Sequence, residues 1–91
     1  MFRIEGRIVW LEEYTHQVSA DLITSIAYHR SNILTRLLSR TGDENLVYVS
    51  LKNRRLTITL SSSEDPQHYA EALRSALAEL GVSLPAVTPN W

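Results

Sequence analysis

SADLITSIAYHRSNILTRLLSR, residues Ser19–Arg40, is the longest periodic run in the chain. Taken at about 100° per residue, Leu22, Ile23, Ile26, Ala27, Ile33, Leu34, Leu37 and Leu38 fall on one broad arc. That spacing predicts one amphipathic helix of about six turns. Ser19 suits its N-cap and Asp21 its first turn. Arg36 and Arg40 stand near the C-terminal end, where cations complement the helix dipole, and Gly42 can close it. A helix with so wide an apolar face needs a sheet to lie on.

The flanking sequence offers strands. Phe2–Leu11 alternates, with Phe2, Ile4, Gly6, Ile8 and Trp10 on one face and Arg3, Glu5, Arg7, Val9 and Leu11 on the other, and reads as one half-buried strand. Glu12–Gln17 is a polar connection. Leu46–Leu51 and Leu56–Leu60 read as a hairpin pair, Val47, Val49 and Leu51 facing Leu56, Ile58 and Leu60, with Lys52–Arg55 as the turn. A further helix is punctuated by Asp65 as cap, Pro66 in the first helical position and Gly81 as stop, with an apolar stripe of Tyr69, Leu73, Ala76, Leu77 and Leu80. Val82–Val87 suggests a short last strand that Pro85 confines to an edge, and residues 82–91 are therefore an edge strand or a C-terminal tail. The resulting order, β-α-β-β-α-(β), predicts a two-layer α+β sandwich of the ferredoxin-like kind, two helices on one face of an antiparallel sheet, in a single domain spanning 1–91.

Composition narrows the function classes. The chain has 91 residues, 44% hydrophobic and 21% charged, with no cysteine. Disulfides, thiolate catalysis and cysteine-ligated zinc or iron–sulfur centres are thereby excluded. No apolar run reaches the 18 or more residues of a membrane span, and charges stand where a signal peptide needs an apolar run, so a cytoplasmic address is expected. From Arg30 to Arg55 six basic residues oppose two acidic ones, a local +4; the other segments carry three basic and eight acidic residues, a local −5, leaving −1 overall. In the expected topology the basic half divides between two ends of the sheet, each with acids nearby, which works against a continuous phosphate-tracking stripe.

Enzymatic constellations are weak. Glu12, Glu13, His16 and Asp21 lie close in sequence, but neighbouring carboxylates on a polar loop ordinarily serve to solvate it. His16, His29 and His68 sit on separate elements without metal-helix spacing, and Gly6, Gly42 and Gly81 each stand alone, so no phosphate-cradling loop exists. No catalytic residue, metal or cofactor is expected. RNA readers of such architecture stack bases on sheet aromatics, and here Tyr48 alone would face outward.

What remains is a surface. Val9, Leu11, Leu46, Tyr48, Thr57 and Thr59 are assigned to the open sheet face, too apolar and β-branched for a purely solvent-facing layer. Arg30 falls in the middle of the long apolar arc, where it serves a structural ion pair or is presented to a partner subunit or anionic ligand. The sequence therefore points to a small non-enzymatic protein–protein interaction module, binding a second copy of itself or another protein through the sheet face or the long helix. The second reading is a nucleic-acid or nucleotide-binding protein that uses Lys52, Arg54 and Arg55 at the hairpin tip; the ordinary role of such a cluster is a solvated turn.

Overall fold

The computed structural model describes residues 2–11, 16–30, 45–60 and 64–89. The chain opens with a hairpin rather than one strand: β1 (Arg3–Glu5) turns at Gly6 and Arg7 into β2 (Ile8–Leu11), which pairs in turn with β3 (His16–Ser19). Gly6 has φ of 60°, the left-handed value required at the first central position of a two-residue hairpin turn. The turn inverts the face arithmetic. Along an uninterrupted strand Ile4 and Val9 would lie on opposite sides, but the hairpin opposes Ile4 to Val9, and Val9 to Val18, so all three share the inner face. Val9 and Leu11, expected on the open face, are accordingly fully buried.

The long periodic run departs furthest from expectation. Ala20–Leu22 is one 3-10 turn and Ile23–His29 is a strand, β4, not a helix. Ile23 and Ile26 are both buried at a spacing of three because the ladder to the next strand shifts between them: Ile23 opposes Leu51 and Ser25 opposes Ser50, leaving Thr24 as the extra residue of a β-bulge. The Thr24 hydroxyl donates to the Ser50 carbonyl at 3.1 Å and pins the bulge. The bulge thus reproduces, over one turn, the spacing of a helical stripe. The part of the expected helix at 31–40, with Arg36 and Arg40, and its stop at Gly42 lie outside the described residues.

β5 (Asn45–Leu51) and β6 (Arg55–Leu60) form the expected hairpin, with Val47 opposite Ile58 and Val49 opposite Leu56. The helix α1 (Pro66–Glu79) is also as expected. The Asp65 carboxylate accepts from the Gln67 amide at 3.0 Å and Pro66 occupies the first position. Its end is a Schellman motif: Gly81, φ 85°, donates to Ala78 O and Val82 donates to Leu77 O, both at 3.0 Å. The last strand falls later than Val82–Val87. β7 (Thr88–Pro89) pairs parallel with β4 at Ala27 and Tyr28, and Arg74 brings the chain there by donating to the carbonyls of Leu84 and Pro85.

The described residues therefore hold one helix and seven strands, in an antiparallel sheet β1-β2-β3 and a mixed sheet ordered β6-β5-β4-β7. The class is α+β; the two-helix ferredoxin-like arrangement is not confirmed, since a strand occupies much of the place of the first helix. Tyr69, Ala70, Leu73 and Leu77 of α1 pack on Ile26, Val47, Val49 and Ile58, and the small sheet adds Val9, Leu11 and Val18 to the same core. Phe2 meets Tyr69 edge-to-face, ring centroids 5.6 Å apart, which fastens the N-terminal hairpin to the helix.

Candidate functional site: the outer side of the four-stranded sheet

With α1 lying on β4 and β5, the other side of the mixed sheet is formed by alternate residues: Ala27 and His29 on β4, Leu46, Tyr48 and Ser50 on β5, Arg55, Thr57 and Thr59 on β6. Cross-strand register sets Leu46 opposite Thr59 and Tyr48 opposite Thr57. Leu46 and Tyr48 are half-buried, while Thr57 and Thr59 are exposed. Four of the six residues expected on the open face are therefore together on it, and the other two, Val9 and Leu11, belong to the core. The Arg55 guanidinium lies over the Tyr48 ring, 4.8 Å from its centroid, a cation–π contact on this face.

The basic hairpin tip is less available than its sequence suggests. Lys52, Arg54 and Arg55 are all exposed. Yet Arg55 is engaged on Tyr48, and the Lys52 backbone amide donates to Leu22 O at 3.1 Å, which brings the tip beside the 3-10 turn that carries Asp21. The Asp21 carboxylate is held below its usual range chiefly by a hydrogen bond from Arg7, with Lys52 adding a weaker pull. Glu12 and Glu13 lie outside the described residues.

Arg30 stands at the end of β4, not on a helix arc, and is exposed. It donates to Asp65 Oδ1 at 2.8 Å and to Gln67 Oε1 at 3.1 Å, tying the end of β4 to the N-terminus of α1. The structural ion pair is thus the role the geometry gives it. Asn45 reinforces the same end, its side-chain amide donating to Glu64 O at 3.0 Å.

Sequence reasoning missed Arg7 altogether. This turn residue grips Asp21 through Nε and Nη2 and donates from Nη1 to Leu80 O at 3.0 Å, the carbonyl at the C-cap of α1. One guanidinium therefore joins the first hairpin, the 3-10 turn and the helix end. Nothing local in sequence signals a bond that spans 73 residues.

The two engaged carboxylates give a pH prediction. At Asp65 burial pushes the pKa up, but the hydrogen bonds from Arg30 and from the Gln67 and His68 amides outweigh it, and the net value is lowered, as at Asp21. A depressed folded-state pKa stabilises above the unfolded-state value of about 3.9, and that contribution is lost as pH falls through the folded value. The urea midpoint should hold from pH 7 to 5 and drop toward pH 3. The drop should be smaller in Asp21→Asn, and an identical drop in both proteins would contradict this assignment.

The remaining candidates do not converge. His29 is on β4 and His68 is exposed on α1, while His16 belongs to β3. Among the described residues no three His, Asp or Glu gather as a metal site, and no helix is long and apolar enough to cross a membrane. No family model, no curated protein and no solved structure matches the chain.

Proposed function

We propose that this protein is a small non-enzymatic interaction module that assembles with a second copy of itself through the outer side of its four-stranded sheet. The observation that carries this reading is the strip of Leu46, Tyr48, Arg55, Thr57 and Thr59, where an aromatic ring and a guanidinium stacked on it are surrounded by apolar and β-branched side chains. Tyrosine and arginine are the residues that most often anchor protein interfaces, and a preformed stack loses little side-chain freedom on docking. The competing use of Lys52, Arg54 and Arg55 for nucleic acid has less support, because Arg55 is spent on Tyr48 and Asp21 lies at the same tip.

The test is a pair of glutamates on the exposed strand. Thr57→Glu/Thr59→Glu places two charges on the strip without touching the core, so stability should change by no more than about 0.5 kcal/mol per site. Sedimentation velocity should show the dissociation constant raised by at least about 30-fold, because each copy would bring two uncompensated carboxylates into the contact. An unchanged sedimentation coefficient at every concentration, with the wild type assembled, would remove this strip from the contact.

A further inference from the structure

The outermost strand of the mixed sheet is β6, and among the described residues no strand adds to its far side. Which of its backbone groups face outward follows from the hairpin. Leu51 N donates to Arg54 O at 2.7 Å, and these residues are opposed in the same register as the rest of the ladder, so they form a closely bonded pair. In an antiparallel ladder such pairs alternate with wide ones. The pairs Val49–Leu56, Val47–Ile58 and Asn45–Leu60 are therefore the bonded ones, and they commit the even-numbered residues of β6 to β5. The amides and carbonyls of Arg55, Thr57 and Thr59 are left pointing away from the sheet. Soluble proteins blunt such an edge with proline, charged side chains, a bulge, extreme shortness or a covering helix or loop. β6 has six residues in unbroken register, no proline, and leucine or isoleucine at every inward position, and its one charged side chain, Arg55, lies back over Tyr48 of β5.

The sequence of this edge is complementary to itself. We propose that two copies pair β6 to β6, antiparallel about a two-fold axis at Thr57, so that their mixed sheets join into one continuous eight-stranded sheet. In that register Thr57 opposes Thr57 and Arg55 opposes Thr59, which uses every outward-pointing group of RLTIT. Leu56 opposes Ile58 on the inner face and extends the apolar layer across the seam. The guanidinium never meets its own copy, and the central pair is threonine on threonine, a favourable cross-strand pair. A slip of one residue would set inner side chains against outer ones, and a slip of two would leave either Arg55 or Thr59 beyond the strand of the partner. The two-fold pairing closes on itself and gives a dimer rather than a fibre. This inference rests on the self-association reading alone and places the contact at the β6 edge, beside the outer strip rather than across it.

The chain contains no cysteine, so Thr57→Cys introduces the protein's single thiol. Across a closely bonded antiparallel pair the Cα atoms lie about 5.5 Å apart, within disulfide range. Oxidised with glutathione under native conditions, Thr57→Cys should form a disulfide-linked dimer at least about tenfold faster than Ser75→Cys, an exposed helix position remote from the seam. Thr57→Pro removes an outward amide that β5 does not use and should raise the dissociation constant at least about tenfold while the circular dichroism stays native. Should Thr57→Pro fail to fold, the cross-linking rate decides alone. A wild type that stays monomeric at every concentration overturns the self-association reading and this geometry with it. An assembled wild type whose Thr57→Cys variant links no faster than Ser75→Cys overturns the edge pairing alone and leaves contact through the sheet face.

Discussion

Leu11→Asp is expected to abolish folding. Leu11 is fully buried, at the end of β2 where the small sheet meets the common core. The position packs among apolar core residues, and a charge buried in such surroundings costs several kcal/mol after the group has shifted its pKa or drawn in water. A chain of this length has a total stability of roughly 5–14 kcal/mol, so this one change removes most of it. Circular dichroism and the loss of a cooperative thermal transition report the outcome. The comparison that gives the experiment its force is Thr59→Asp, on the exposed outer side of β6, expected to leave the melting temperature nearly unchanged. Had Phe2–Leu11 been one strand with Leu11 on the open face, the two substitutions would behave alike.

Leu73→Ala should cost about 2–5 kcal/mol, the usual range for truncating a fully buried leucine. Leu73 lies at the middle of α1, which packs through Tyr69, Ala70, Leu73 and Leu77 on β4 and β5. At about 4–8 °C per kcal/mol for a domain of this size, the melting temperature should fall by at least about 8 °C. Arg74→Ala, one position along, tests a different link. It removes the donors that hold Leu84 and Pro85, so it should loosen the approach to β7 with a smaller loss of stability.

Elements whose signals are local were legible in the sequence. Asp65, Pro66 and Gly81 mark both ends of α1 by backbone chemistry that does not depend on the rest of the fold, and the β5–β6 pair follows from strict alternation at Val47, Val49, Ile58 and Leu60. Two features misled in instructive ways. Gly6 followed by Arg7 fits an alternating strand, yet glycine at the first central position is also the mark of a tight hairpin turn, and one such turn reverses every face assignment after it. In β4 the bulge at Thr24 gives Ile23 and Ile26 a helical spacing. The competing signal was present in the β-branched and aromatic content of Ile23, Thr24, Ile26 and Tyr28, which favours a strand.

The outer strip was partly legible for the same reasons. Leu46, Tyr48, Thr57 and Thr59 follow from the alternation of two strands whose pairing was clear. Val9 and Leu11 were misplaced by the hidden turn. The stacking of Arg55 on Tyr48, the pairing of Arg30 with Asp65 and the bridging of three elements by Arg7 are tertiary facts, set by which strand ends meet. No spacing rule in the sequence encodes them.

Absolute mass by light scattering, across a concentration series at low and at high salt, tests self-association most directly. The account predicts a particle of about twice the 10.4 kDa of one chain, with a dissociation constant that changes little with salt because the contact is made by backbone bonds and apolar side chains. A mass of 10.4 kDa at every concentration and salt would contradict it.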